Sequence, residues 1–270
     1  MISGLDVIWR NLPFLMIQGF LGFGKFVGGT LRLAIPAIIL GFILGIFIGL
    51  GRLAPQRWIR IPATLYVEFF RGIPLVMVIF WIWIVVPIVL QRAIPEFWVA
   101  LTAFVIFEAA YLGEIVRAGV QSVPRGQVEA ATAVGLTSTQ TMRYVVLPQA
   151  LKNMIPSLVT QFIVLFKDTS LASIIGFMDL TKAAQVVNNR EVRPFALYLF
   201  IAVVYWICTY SMSRYARHVE QRLSPARGAA RPRRPPPLAR GGRSLEAARR
   251  LTVSLSGDID AAHWLPVRCR

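Results

Sequence analysis

Long uninterrupted apolar runs constrain this chain more than any other feature. They cover approximately residues 26–50, 63–90, 97–116, 155–178 and 195–213. A helix needs about 20 mostly apolar residues to cross the hydrocarbon of a bilayer. The runs therefore predict an all-α membrane protein with five transmembrane helices. Composition agrees, since 56% of the 270 residues are hydrophobic and only 16% are charged. That balance excludes most soluble enzymes and most disordered chains. A shorter apolar stretch, 12–23, is too short to span, and it lacks the basic start and cleavage site of a secretory signal. Residues 1–25 are read as an interfacial lead-in segment.

Charge divides the chain further. The net charge is +16, and residues 224–270 hold 10 Lys and Arg against 3 Asp and Glu. This Arg/Pro-rich segment has no apolar periodicity and is expected to be a disordered basic tail following a transmembrane domain at 26–223. Such a tail binds anionic membrane lipid at about 1 kcal/mol per basic residue near the surface. Nucleic acid is the other electrostatic option and is not expected as a partner.

Within the domain, basic residues gather in alternate connections. Arg52, Arg57 and Arg60 follow the first span, Arg117, Arg125, Arg143 and Lys152 follow the third, and Arg214, Arg217 and Arg222 follow the fifth. The opposite connections mix signs, as with Arg92 and Glu96, or Asp179, Lys182, Arg190, Glu191 and Arg193. The positive-inside rule then puts the N-terminus outside and the C-terminus in the cytoplasm. Cys208, Cys269, His218 and His263 form no disulfide framework and no metal-ligand spacing.

Gly41, Gly45 and Gly49 repeat every four residues and share one helix face. Close packing inside the bundle is the expected use, with a contact to another chain as the alternative. Pro36, Pro74 and Pro87 lie at membrane depth, where they predict bends.

The connection between the third and fourth runs looks built. Pro124 and Gly126 punctuate its start, and 129–134 is rich in Ala and helix-prone. Gly135 suits a helix end. Thr137 followed by Gln140 has capping-box spacing for a second helix, expected to run to Pro148. A short helix, a bend and another helix facing the cytoplasm suit docking into a groove.

Here the residues resemble a known family. Glu129-Ala130-Ala131, then Gly135, Val145 and Leu147-Pro148, resemble the EAA loop of ABC-importer permeases, with Val145 where the pattern often has Ile. Phe70-Arg71-Gly72-Ile73-Pro74 resembles the Phe-Arg-Gly-(Thr/Ile)-Pro motif of polar amino-acid permeases. Phe107-Glu108-Ala109-Ala110-Tyr111, Val146-Leu147-Pro148-Gln149-Ala150 and Leu165-Phe166-Lys167-Asp168-Thr169-Ser170-Leu171 are similar as well. The resemblance spans roughly residues 20–223 and is nearest to glutamate/aspartate uptake permeases.

The resemblance implies the ABC-importer permease fold, with a cytoplasmic coupling helix in the loop 120–150. Glu129, Ala130, Ala131, Gly135, Leu147 and Pro148 would carry the contact to the ATPase. It implies alternating-access import of polar amino acids, with glutamate and aspartate as the expected substrates, across the bacterial cytoplasmic (inner) membrane. The implied partners are cytoplasmic ABC ATPase subunits, a second permease (self or sister chain) and an external or periplasmic amino-acid-binding protein. This chain would be no enzyme and bind no cofactor, ATP and Mg being used by the partner ATPase. The competing classes are a passive amino-acid or ion channel and a membrane-anchored scaffold acting through its tail.

Ionisable groups at membrane depth are expensive and mark function by default. Lys167 and Asp168, with Thr169 beside them, form the first candidate for the substrate pathway: the Lys for a substrate carboxylate, the Asp for its ammonium. Glu108 and Gln161 are further candidates. Glu114 with Arg117, and Glu68 with Arg71, have the i,i+3 spacing of local ion pairs. The stretch 19–25 has the spacing of a phosphate loop, but Phe26 replaces the Ser or Thr and no strand precedes it.

Overall fold

A computed structural model describes residues 4–23 and 28–223, and every regular element among them is helical. Helix α1 (Gly4–Pro13) continues without a break into a π-helical segment, Phe14–Leu21. Then come α2 (Thr30–Leu53), α3 (Arg57–Gly72), α4 (Leu75–Leu90) and α5 (Glu96–Gln121). The connection after α5 holds α6 (Arg125–Ala133) and α7 (Ser138–Gln140), followed by α8 (Leu147–Asp168), α9 (Leu180–Glu191) and α10 (Pro194–Leu223). The basic tail and residues 24–27 lie outside the described residues.

Four stretches are long and apolar enough to cross a membrane: Thr30–Leu53, Glu96–Gln121, Ser138–Ile175 and Pro194–Gln221. The expected second span differs from a simple crossing, because α3 and α4 meet at an angle of 105°. Ile73 and Pro74 are both extended there, with ψ of 149° and 139°. A residue before proline is pushed out of the helical region by the proline ring, so an apolar run that looks continuous in hydropathy is broken in the backbone.

The helix after the elbow also departs from expectation, since it does not stop at Pro148. Ser138–Ile175 runs through as one stretch, with a π-helical segment at Thr141–Val146 and a tight 3-10 end at Thr169–Ile175. Pro148 falls in the first turn after that wide segment, where its missing N–H costs little.

Three apolar clusters hold the helices. One joins α2, α4, α5 and the end of α8 around Leu33, Ile79, Phe104, Leu165 and Phe177. A second fixes the N-terminal helix: Val7 and Leu15 pack with Leu180, Ala183, Val187 and Leu197 of α9 and α10. The lead-in is therefore a continuous helix from Gly4 to Leu21, and Gly19 of the glycine-rich stretch is part of it rather than a phosphate loop. The third unites the ends of α5 and α8 that adjoin the elbow.

The glycine face of α2 meets α5 of the same chain. A methyl group on Gly45 would fall 2.8 Å from Leu112 Cβ and 3.1 Å from the Gly113 nitrogen. The close-packing reading of the stripe holds, and this face is not free for another chain. The outward surface stays apolar, as at Trp58, Leu65 and Phe69 on α3 and Leu199, Val203 and Trp206 on α10. Such a surface suits hydrocarbon rather than water as solvent.

Candidate functional site

Local chemistry builds the elbow between α5 and α8. Pro124 starts α6 in an extended conformation. Gly135 ends it with φ of 87°, a left-handed conformation that glycine adopts without strain. Its amide donates to Thr132 O at 3.0 Å and the next amide, Leu136, donates to Ala131 O at 3.1 Å. These paired bonds form a Schellman motif, which satisfies the last carbonyls of α6. Two residues later the capping box closes: the Gln140 amide donates to Thr137 Oγ1 at 3.3 Å, and the Thr137 amide to Gln140 Oε1 at 2.9 Å. The bend therefore has a fixed exit from one helix and a fixed start to the next.

Almost everything on this elbow faces outward. Glu129, Ala130 and Gly135 are exposed, and Ala131 is the buried residue of α6. Leu147 and Pro148 are exposed too, but they stand beyond the wide segment, at the start of α8. Beneath the elbow lies a cavity of about 300 Å³ lined by Val120, Val123, Val128, Thr132, Ser138 and Thr141, among others. The Thr141 hydroxyl is buried without a hydrogen-bond partner. Asn153 Nδ2 of α8 donates to Ser122 Oγ at 2.9 Å, so the two roots of the elbow are tied together.

A second polar site lies deep between α5 and α8. Glu108 is fully buried, and Gln161 Nε2 donates to its Oε2 at 2.9 Å. The other carboxylate oxygen, Oε1, has no donor. Asp168 is half-buried and close enough to act on Glu108 electrostatically. Lys167 is exposed on the surface of α8. Thr169 is buried and donates its hydroxyl to Phe166 O at 2.7 Å. The fold thus joins Glu108 to Gln161 by a hydrogen bond, while Asp168 is half-buried, Lys167 is exposed and the Thr169 hydroxyl is taken up by Phe166 O.

Among the other charges, the Glu114–Arg117 pair forms as expected, with Arg117 Nε 3.0 Å from Glu114 Oε2. A third member, Arg52 at the end of α2, also binds Glu114, a contact beyond the i,i+3 expectation. The signal was present: Arg52 lies three residues beyond Gly49, continuing the glycine face that packs on α5. The expected Glu68–Arg71 pair does not form. The Arg71 guanidinium instead lies 5.5 Å from the centre of the Tyr111 ring, while Glu68 is exposed.

At the opposite end of the bundle, Asp179 caps α9 by accepting the Thr181 and Lys182 amides at 3.0 and 2.9 Å. Burial pushes its carboxyl up to about 6, the two amide bonds working against that rise. Arg10 of α1 pairs with Glu191 at the end of α9.

Comparison with known proteins gives a consistent result. The family described as binding-protein-dependent transport system inner membrane component matches residues 37–225. The glutamate/aspartate import permease protein GltK of Escherichia coli is 39% identical over 205 residues, covering 72% of this chain and 90% of that protein. The probable glutamine ABC transporter permease protein GlnP of Bacillus subtilis is 40% identical over 197 residues, covering 72% and 89%. Among solved structures, an amino acid ABC transporter with histidines superposes with a TM-score of 0.75 at 34% identity, covering 82% of this chain and 99% of that one. The methionine ABC transporter MetNI in an inward-facing form shares the fold at 19% identity and a TM-score of 0.60, covering 72% and 93%.

Proposed function

The chain belongs to the family of binding-protein-dependent transport system inner membrane components, and we infer from it that this protein is the permease of an ATP-driven amino-acid importer. It is a transport subunit and not an enzyme, ATP hydrolysis being the work of a separate ATPase. The observation that carries the coupling role is the elbow itself: a short helix with a fixed end, then the capped start of the next long helix, both exposed.

In this reading Glu129, Ala130, Ala131 and Gly135 present α6 to a cytoplasmic ATPase, with Leu147 and Pro148 at the base of the lever. Closure of two ATPases around ATP moves the elbow and, through it, α5 and α8. The N-terminus lies outside and the C-terminus in the cytoplasm. Residues 26–223 form the permease domain, preceded by the lead-in helix and followed by the basic tail, which rests on anionic lipid.

Buried Glu108 with half-buried Gln161 and Asp168 form the polar part of the substrate pathway, with Lys167 and Thr169 at its margin. Carboxylates suit a substrate ammonium group, and Lys167 suits its carboxylate. A lysine facing lipid at membrane depth costs about 2.5–3.5 kcal/mol, which supports a second permease covering that face of α8. An external amino-acid-binding protein completes the complex.

Glutamate and aspartate are the proposed substrates, supported by the 39% identity to an import permease for those two. Glutamine is the nearest competitor, since a probable glutamine permease is 40% identical. Competition uptake by the reconstituted complex decides between them. Unlabelled aspartate is expected to suppress labelled glutamate uptake more strongly than glutamine or arginine does. Stronger suppression by either of those two would overturn the acidic assignment.

A further inference from the structure

At the roots of the elbow a chain of polar contacts crosses three helices. Glu114 of α5 holds Arg117 of its own helix with two prongs, Nε to Oε2 at 3.0 Å and Nη2 to Oε1. It holds Arg52, in the last turn of α2, through one guanidinium nitrogen on Oε2. Arg117 Nη1 donates onward to Gln121, and the neighbouring Ser122 accepts from Asn153 of α8. These contacts reach α2 at one end and, across the backbone step from Gln121 to Ser122, α8 at the other, while the elbow is suspended between α5 and α8.

The two sides of Glu114 are unequal. Between α5 and α8, Leu112, Val116 and Val123 interdigitate with Val146, Ala150 and Met154. These side chains join the two helices at this level. Between α2 and α5 the seam is glycine, at Gly45 and Gly49 against Leu112, Gly113 and Val116. Ile48 of α2 packs in turn on Gly113, so the two backbones approach closely along this seam. Across it the Arg52–Glu114 pair is the polar tie, with side chains only 13% and 21% exposed. A pair so shielded is stronger than one in water. It is nevertheless incomplete, because Arg52 Nε is buried with no partner. Glu114 thus holds Arg117 of its own helix through two nitrogens and Arg52 of α2 through one.

We propose that Glu114 is a positioning residue of the transport cycle, latching α2 through Arg52 to the α5–α8 body and releasing it when the elbow moves. Release lets α2 slide on its glycine seam, a shear of packed helices, while Arg117 keeps the Glu114 charge neutralised. The latch sets how tightly an elbow movement is converted into rearrangement of the membrane helices. It rests on the reading of the elbow as the ATPase contact.

The test uses the full complex of permease, ATPase and binding protein in proteoliposomes, and reads ATP hydrolysed per amino acid imported. Arg52→Gln is expected to raise that ratio about fivefold, in the range by which residues along a coupled network alter coupling. Arg52→Lys is expected to keep the ratio near that of the wild type, because a single nitrogen suffices for a single-prong contact. A merely structural role would lower the melting temperature of the complex and leave the ratio unchanged. An unchanged ratio in Arg52→Gln, or an equal rise in Arg52→Lys, overturns the latch. Where Arg52→Gln does not assemble, Glu114→Gln takes its place: a raised ratio supports the latch and an unchanged one overturns it. Gly135→Pro is run beside them. Coupled uptake surviving there sinks the elbow reading, whereas blocked uptake there with an unchanged Arg52→Gln ratio sinks the latch alone.

Discussion

Glu108 is the residue on which the proposed substrate pathway depends most. Its side chain is fully buried, one oxygen takes a hydrogen bond from Gln161 at 2.9 Å, and the other takes none. A buried acceptor without a donor costs about 1–3 kcal/mol, and a substrate ammonium group would satisfy it in the proposed pathway. Glu108→Gln keeps the volume and removes the charge. It is expected to leave the melting temperature in detergent at or above the wild-type value and to lower initial uptake about tenfold, the worth of a charge-assisted hydrogen bond. Wild-type uptake would remove Glu108 from the pathway. Asp179 gives a second prediction at this scale. Its folded-state pKa of about 6 lies above the ordinary 3.8. Between those values the folded chain holds a proton that the unfolded chain has released, so stability falls as pH rises through about 4 to about 6. Asp179→Asn retains a good helix cap. It is expected to remove this part of the decline, read as a smaller difference in melting temperature between about pH 4.5 and about pH 7; an unaltered difference would refute the assignment.

At the scale of elements, the elbow is a rigid bend made from parts a few residues apart. Gly135 at φ 87° closes α6 and Thr137 opens α7. Gly135→Pro demands a negative φ of about −65° and removes the amide that donates to Thr132 O. It is expected to abolish uptake while the protein still inserts at a normal level, checked by quantifying it in membranes alongside transport. Sequence reading captured this element because caps act through neighbours. It missed the break between α3 and α4: hydropathy averages along the run 63–90, whereas the 105° bend depends on the backbone at Ile73 and Pro74. It also ended the second elbow helix at Pro148, because the wide segment that accommodates that proline has no composition of its own.

At the scale of the molecule, an apolar body and a basic tail answer to different forces. The body presents large apolar residues outward, as suits a bilayer, and the tail carries a net +7 in residues 224–270. If the tail only rests on lipid, deleting 224–270 leaves amino-acid uptake by the complex intact. A complete loss of uptake with the complex still assembled would give the tail a working role instead.

Features set by near neighbours in the chain are legible from residue order alone. Apolar run length predicted the membrane helices, and capping residues predicted the elbow. Four-residue glycine spacing predicted a close-packed face. Which faces meet is settled only in the folded bundle. Glu108 and Gln161 are 53 residues apart, and Arg52 and Glu114 are 62 apart. Neither pair has a local pattern, because such contacts follow from how whole helices cross and slide. The glycine face of α2 needed α5 before Arg52 could be seen to reach Glu114. Hydropathy and capping act along the chain, whereas pairing of buried charges depends on long-range packing geometry.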